Sequence, residues 1–165
     1  MLFNSDIVKT VVKVLKKYNI TKVVVDPVMI ASSGAKLLTD DTIEVVRSEL
    51  LPIAYVLTPN IPEAEVLTGL TIKSIDDMKN AAKKLYDMGV KYPLIKGGHI
   101  AFNSQNVVAK NSKEATCITD VLYDGKDFYE ESLEYIHTHN THGTGCTLSS
   151  AIAAGLAKNE SGRLT

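Results

Sequence analysis

The stretch KVVVDPVM, residues 22–29, is a short run of β-branched residues that ends at a proline. Such a run is typical of a strand buried on both faces, and Pro27 stops it because proline cannot donate to a sheet ladder. Similar runs follow at residues 54–60, AYVLTPN, and at residues 92–98, YPLIKGG. We therefore predict three buried strands that run parallel to one another.

Helices are predicted around these strands, because apolar residues recur there at spacings of three and four. They cover residues 5–18, 39–51, 61–69, 74–89 and about 145–157. Ser5 and Ser74 are the expected N-caps of the first and the fourth helix. Thr39 or Asp41 is expected at the start of the second.

Further strands are predicted at residues 106–110, 117–124 and 126–137, the last two joined by a hairpin turn at Asp124-Gly125. Nearly all-apolar strands that alternate with helices indicate a mostly parallel sheet covered by helices on both faces. The chain, residues 1–165, is predicted to form one α/β domain of three layers.

The composition excludes several classes of protein. The 165 residues carry a formal net charge of −1, so there is no basic field for nucleic acid or for an anionic membrane surface. No apolar run reaches the ~18 residues of a membrane span. Cys117 and Cys146 form neither a disulfide framework nor a metal-ligand pattern. We expect a soluble cytoplasmic protein.

Polar residues follow each of the three predicted parallel strands directly. They are Asp26, residues 58–63 and residues 96–99. In open α/β sheets, ligands bind beyond the carboxyl ends of the strands. We therefore expect these residues to lie along one rim and to form a binding site there.

The segment HNTHGTGCTLSSAIAAGLA, residues 139–157, joins a glycine-rich turn to a helix of small residues. Gly143 and Gly145 let a ligand approach the main chain, and the N–H groups at the helix start attract phosphate oxygens. Cys146 would then be a reactive group inside an anion site. The alternative is a tight turn that permits close packing, with Cys146 as a small buried apolar residue. The segment alone favours neither.

The stretch TPNIPEAE, residues 58–65, places Asn60 and Glu63 three residues apart at the start of a predicted helix. They would share one face there, where an amide and a carboxylate could hold a hydrated Mg²⁺. The alternative is helix capping by Asn60 with Glu63 near the positive end of the helix dipole. By itself the stretch favours capping.

Lys96 is followed by two glycines, an arrangement that suits a polyphosphate, and Asp26 suits a position beside a metal ion. An exposed lysine before a loop and a turn-forming aspartate before a proline are the respective alternatives. No zinc site is predicted, since the histidines do not have a metal-binding spacing with the cysteines. These histidines are His99, His137, His139 and His142.

Taken together on one rim, an anion-binding helix start, a lysine and carboxylates suited to Mg²⁺ indicate phosphoryl transfer. The chain contains no Gly-x4-Gly-Lys-Ser/Thr run, so it is not a Walker-type NTPase. It also lacks the catalytic-loop and Asp-Phe-Gly patterns of protein kinases.

The stretches VVVDPVM, LTPNIPEAEVLTG, LIKGGH and NTHGTGCTLSSAIAA occur in this order over nearly the whole chain. They resemble the hydroxymethylpyrimidine/phosphomethylpyrimidine kinases of thiamine biosynthesis, a family of the ribokinase-like superfamily. The Gly-Thr-Gly-Cys form is specific, since most ribokinase-like sugar kinases carry aspartate where Cys146 stands. Pyridoxal kinases are the nearest alternative.

The resemblance implies a ribokinase-like fold and the use of ATP and Mg²⁺ to phosphorylate hydroxymethylpyrimidine and its monophosphate. Gly143, Thr144 and Gly145 would form an anion hole for the transferred phosphoryl group. Cys146 would be the catalytic residue that faces the acceptor hydroxyl. The nucleotide would be bound by Thr58, Asn60, Lys96 and Gly97, the metal ion by Asp26 and Glu63, and the pyrimidine by Val28.

One family element has no match. Family members open with a Gly-Ser-Asp-x-Ser-Gly-Gly-Ala-Gly segment and continue beyond NESGRLT, residues 159–165. By resemblance the chain is a middle-to-late portion of the kinase, incomplete at the N-terminal strands and C-terminal helices. An exposed sheet edge would favour a homo-oligomer or association with a full-length paralogue.

Two function hypotheses follow. The first is a hydroxymethylpyrimidine kinase, and the second is an inactive paralogue that retains nucleotide-binding elements. A pyridoxal kinase-like vitamin kinase is a further alternative.

Overall fold

The structure is a computed structural model that describes residues 2–30, 36–98, 117–134, 136 and 143–158. The expected strand at 106–110, the loop at 32–34 and all four histidines lie outside the described residues.

The described residues form five strands and five α-helices. The strands are β1 (Val24–Val25), β2 (Val56–Leu57), β3 (Tyr92–Ile95), β4 (Cys117–Tyr123) and β5 (Phe128–Glu134). The helices are α1 (Ser5–Lys17), α2 (Asp40–Val45), α3 (Ile61–Thr68), α4 (Ile75–Asp87) and α5 (Thr144–Ala157). A π-helical turn, Val46–Leu50, and a 3₁₀ turn, Leu51–Ile53, extend α2, so the single helix expected over residues 39–51 is formed by three successive helical segments.

Two of the three predicted N-caps are confirmed. Ser74 accepts the N–H of Asp77 at 3.1 Å, as a capping residue does, and Thr39 is the N-cap of α2. The expectation of Ser5 as the cap of α1 is wrong. Asn4 has the extended backbone of a cap, and its side chain accepts the N–H of Ile7 at 3.0 Å.

The sheet is mixed, with the strand order β1-β2-β3-β4-β5. β1, β2 and β3 are parallel, with Val24 beside Val56 and Val56 beside Tyr92. β4 pairs antiparallel with β3, and β5 antiparallel with β4. The predicted hairpin turn is present, because Gly125 has φ 95° and the side chain of Asp124 accepts two N–H groups of the turn.

Successive strand residues face opposite layers, which explains the all-apolar strands. One face of the sheet presents Val25, Leu57, Ile95 and Val121 to a core shared with α1 to α4. The other face presents Val24, Val56, Leu94 and Leu122, which pack with Leu148, Ile152 and Leu156 of α5. The layers are therefore α/β/α, as the alternation predicted.

Among the helices of the described residues, none has both the length and the hydropathy of a membrane-spanning segment.

The core on the α1–α4 side is expected to carry most of the stability. Leu57 is fully buried in β2, whereas Leu133 in β5 is 62% exposed. Leu57→Ala should lower the free energy of unfolding by about 2–5 kcal/mol, because it removes buried methyl groups and leaves a cavity. The matched control Leu133→Ala should change it by no more than about 0.5 kcal/mol. Urea unfolding followed by circular dichroism measures both, and equal losses would contradict this placement of the core.

Candidate active site

An ion pair lies at the carboxyl ends of the three parallel strands. Lys96, just after β3, places its Nζ 3.1 Å from Oδ1 of Asp26, just after β1. The same ammonium donates to the backbone carbonyl of Thr58, which follows β2. The Thr58 hydroxyl in turn donates to Oδ1 of Asp26 at 3.3 Å. The three strand ends thus converge as the sequence predicted, because parallel strands end at the same edge.

The start of α5 meets this ion pair from the far end of the chain. Gly143 has φ 81°, a left-handed conformation that favours glycine, and its carbonyl accepts the N–H of Thr147 at 3.0 Å. A Cβ placed on Gly145 would lie 3.4 Å from Nζ of Lys96 and 3.7 Å from Oδ2 of Asp26. The first turn of a 14-residue helix, which carries the positive end of the helix dipole, therefore lies directly beside a lysine and a carboxylate.

Asn60 and Glu63 form the capping box that the sequence offered as the alternative to a metal site. Asn60 accepts the N–H of Glu63 and donates its own N–H to Oε2 of Glu63, both at 2.9 Å. The other oxygen of Glu63 accepts the N–H of Met29 at 3.4 Å. Glu63 is only 3% exposed, and this burial raises the pKa of its carboxyl, although the N–H of Asn60 and the charge of Lys96 oppose the rise. Glu63 therefore joins the start of α3 to the loop after β1.

Asp120 is a site residue that the sequence reasoning missed. It lies in β4, and its Oδ1 accepts the N–H of Gly97 at 2.8 Å. Burial raises the pKa of its carboxyl, opposed by the Gly97 N–H and by the charge of Lys96. A Cβ on Gly97 would clash with the backbone carbonyl of Thr119, so only glycine fits this close approach of two strands. The sequence does contain one indication of its role, because Asp120 is an acidic residue inside the otherwise apolar or β-branched run CITDVLY.

A cavity of about 240 Å³ adjoins the ion pair. Cys146 contributes to its wall and is an exposed free thiol, so the alternative of a buried apolar cysteine does not apply. Asp26 and Val28 also line the cavity, together with Leu2, Val25, Pro27, Met29, Leu38, Val46, Leu50, Ser149 and Ser150. No sequence pattern predicted that Leu2, Leu38, Val46 and Leu50 would line this cavity, because they are distant from Asp26 and Cys146 along the chain.

The oxygens available for a metal ion differ between the two predicted ligands. Both carboxylate oxygens of Glu63 accept backbone N–H groups. Asp26 uses Oδ1 for Lys96 and Thr58, and its Oδ2 accepts no hydrogen bond from any described residue. Described residues contain no group of three or more histidine, cysteine or acidic side chains arranged around a common metal position. A hydrated Mg²⁺ that keeps most of its waters and takes one carboxylate fits Asp26.

A family model described as phosphomethylpyrimidine kinase matches residues 1–163. The chain belongs to the phosphomethylpyrimidine kinase family. The hydroxymethylpyrimidine/phosphomethylpyrimidine kinase of Bacillus subtilis is 44% identical over 161 residues, which are 98% of this chain and 55% of that relative. This chain thus spans about half the length of the curated relatives it matches.

Solved structures agree with a ribokinase-like kinase fold. The phosphomethylpyrimidine kinase of Clostridium difficile superposes with a TM-score of 0.73 at 37% identity, over 96% of this chain and 58% of that one. The pyridoxal kinase of Staphylococcus aureus, solved in complex with AMP-PCP and pyridoxal, superposes with a TM-score of 0.80 at 34% identity, over 98% and 53%.

Asp120→Asn is expected to make the free energy of unfolding less dependent on pH. Because the folded protein raises the pKa of the Asp120 carboxyl, it binds a proton more readily than the unfolded chain does. The free energy of unfolding should therefore fall as the pH rises from the ordinary pKa of aspartate through the raised value, and then become level. Asparagine does not titrate but keeps an oxygen for the Gly97 N–H. Urea unfolding between about pH 4 and pH 8 compares the two proteins. If the free energy of unfolding changed with pH equally in both proteins, the raised pKa of Asp120 would be contradicted.

Proposed function

We propose that the chain acts in the transfer of a phosphoryl group from ATP to hydroxymethylpyrimidine and to its monophosphate, in the cytoplasm. One observation carries the proposal: the start of α5 faces the Lys96–Asp26 pair at Gly145, where a Cβ would lie 3.4 Å from Nζ of Lys96. A helix N-terminus, a cation and a carboxylate from three distant segments thus meet at one point. Charge stabilisation of this kind is the main task of a protein in phosphoryl transfer.

The nucleotide phosphates would lie between the strand ends and α5. Lys96 borders that place, and its side chain is only 12% exposed, so its charge acts with little screening by water. Thr58 and Asn60 border it just after β2, and the Gly97 main chain borders it just after β3. Gly143, Thr144 and Gly145 would direct N–H groups of α5 at the transferred phosphoryl group.

Magnesium would supply the positive charge that neutralises the phosphates. Asp26 is the residue with an oxygen suited to contact the hydrated ion, at the same edge of the sheet. Glu63 was predicted as a second metal residue. With both oxygens bonded to backbone, it would act through its negative charge and through the positions of Met29 and Asn60.

Cys146 would face the acceptor hydroxyl from the first turn of α5. A thiol is a sufficient group here, because the acceptor gives up its proton late in a loose transition state. The monophosphate acceptor has a second pKa of ~6 and arrives largely ionised, so it needs almost no base. Val28, on the wall of the cavity that Cys146 also lines, would contact the pyrimidine ring.

Pyridoxal is the second acceptor to test, because the pyridoxal kinase of S. aureus superposes at a TM-score of 0.80 and the phosphomethylpyrimidine kinase of C. difficile at 0.73. The higher identity to the B. subtilis hydroxymethylpyrimidine/phosphomethylpyrimidine kinase favours the pyrimidine. An ADP-release assay with hydroxymethylpyrimidine, its phosphate and pyridoxal tests the choice. Turnover of pyridoxal alone would overturn the proposed substrate, and ATP binding without any turnover would support an inactive nucleotide-binding paralogue.

Lys96→Met is expected to weaken ATP binding by about 10- to 100-fold, since a charged hydrogen-bond donor to the phosphates is lost. Isothermal titration calorimetry with ATP and Mg²⁺ measures this change. Lys126→Met is the matched control, because Lys126 is 86% exposed in the β4–β5 turn, and it should bind ATP as the parent chain does. Thermal unfolding confirms that each variant is folded. Unchanged affinity in folded Lys96→Met would exclude Lys96 from the nucleotide site.

Cys146→Ala is expected to lower kcat for hydroxymethylpyrimidine by about 10²-fold. This is the lower end of the rate loss that removal of a general base usually causes. The effect on its monophosphate should be clearly smaller, because that acceptor is already ionised. Cys117→Ala, at the start of β4, is the control and should leave both rates unchanged. Steady-state kinetics with both acceptors gives the comparison. Equal losses for the two acceptors would rule out a proton-transfer role for Cys146.

A further inference from the structure

Asp120 is a partly buried carboxylate in the middle of β4, and the proposed phosphoryl transfer assigns it no task. Its neighbours on the same face of the strand, Ile118 and Leu122, are apolar. Withdrawing a carboxylate from water costs free energy, and burial raises the pKa of this carboxyl. A β-branched residue would suit the strand better. The bond that Asp120 makes to the Gly97 N–H is therefore the feature to explain.

The main chain at Lys96 is held from both neighbouring strands. On the β2 side, the N–H of Lys96 donates to the carbonyl of Pro59 at 2.8 Å. On the β4 side, the N–H of Gly97 donates to Oδ1 of Asp120, also at 2.8 Å. Successive N–H groups of an extended chain point to opposite sides. The two bonds therefore fix the Lys96–Gly97 segment between its neighbours.

The bond to Asp120 lies where the ladder between β3 and β4 stops. β3 ends at Ile95, and the antiparallel register, continued by one position, places Lys96 beside Asp120. The backbones are already close there, because a Cβ on Gly97 would clash with the carbonyl of Thr119. The Asp120 carboxylate thus extends the hold of β4 on β3 past the last ladder position, to the point where Lys96 leaves the sheet.

Asp120 and Lys96 lie on the same face of the sheet, toward α5. Leu94 and Leu122, two positions away on their strands, pack in the cluster with α5, and residues two apart on a strand share a face. The charge of Lys96 opposes the rise in the pKa of the Asp120 carboxyl. The ammonium itself is bonded to Asp26. Asp26 therefore holds the end of the lysine side chain, whereas Asp120 holds the main chain from which it starts.

We infer that Asp120 is a positioning residue for nucleotide binding, which fixes through the N–H of Gly97 the main chain from which Lys96 reaches the phosphates. Asp120 itself does not contact the nucleotide. The inference rests on the proposed function for the identity of the ligand, ATP. Since the bond occupies the N–H of Gly97, the Gly97 main chain would border the nucleotide through its Cα and carbonyl.

Asp120→Ala should weaken ATP binding by about tenfold, as expected for loss of a hydrogen bond to a charged group. Asp120→Asn keeps an oxygen for the Gly97 N–H and should bind ATP within about threefold of the parent chain. Isothermal titration calorimetry with ATP and Mg²⁺ measures both affinities. Hydrogen exchange of the Gly97 N–H, followed by NMR, should be faster in Asp120→Ala and close to the parent rate in Asp120→Asn.

Glu131→Gln is the matched control, because Glu131 lies beside Asp120 in the register of β4 and β5 and is exposed. It removes a carboxylate from the same face of the sheet and leaves the Asp120–Gly97 bond in place. It should bind ATP as the parent chain does. Thermal unfolding checks that each variant is folded.

Kinetics and a double mutant separate positioning from a general loss of folded protein. In Asp120→Ala the KM for ATP should rise by about tenfold, while kcat at saturating ATP stays near the parent value. A smaller folded fraction would instead lower kcat and leave KM unchanged. In a Lys96→Met background, Asp120→Ala should change ATP affinity by less than about twofold, because the side chain that it positions is already gone.

Unchanged ATP affinity in folded Asp120→Ala would overturn the inference. So would a loss in Asp120→Asn as large as that in Asp120→Ala, or additive losses in the double mutant. ATP affinities in the expected order, without phosphorylation of the pyrimidine by the parent chain, would leave the inference standing and count against the proposed function.

Discussion

The pair of Lys96 and Asp26 is the interaction on which the site depends. It joins segments 70 residues apart at the ends of two parallel strands, and it is largely withdrawn from water. Breaking such a pair on one side costs about 3–5 kcal/mol, because the remaining charge stays buried. A polyphosphate beside the ammonium would replace one anionic partner by another, so the lysine can bind a ligand without becoming an unpaired buried charge.

Two carboxylates, the buried Glu63 and the partly buried Asp120, hold the main chain around this pair. Glu63 bonds the N–H groups of Met29 and Asn60, and Asp120 bonds that of Gly97. Backbone segments on either side of Lys96 are thereby fixed by side chains from α3 and β4. Burial penalises both charges and raises the pKa of each carboxyl. The protein thus gives up some stability at neutral pH to position its strand-end loops.

Buried and exposed apolar side chains are unevenly distributed over the described residues. The α1–α4 side of the sheet forms a large core, whereas α5 is the one helix of the described residues that packs on the other face. Exposed apolar side chains gather on and around α1 and on β5. The cavity that Cys146 lines lies beyond the carboxyl end of β1, where residues 25–29 form part of its wall.

The sequence alone determined the strand–helix order and the rim of Asp26, Thr58 and Lys96, because all-apolar runs ending in proline or glycine specify buried parallel strands. It also indicated that the Gly-Thr-Gly-Cys turn starts a helix. Only the tertiary structure decided that Glu63 is bonded to backbone on both oxygens and that Asp120 reaches Gly97. Glu63 lies 34 positions from Met29 in the sequence, and Asp120 lies 23 positions from Gly97. Local periodicity specifies which face of an element is buried, whereas strand register and layer packing decide which distant groups meet.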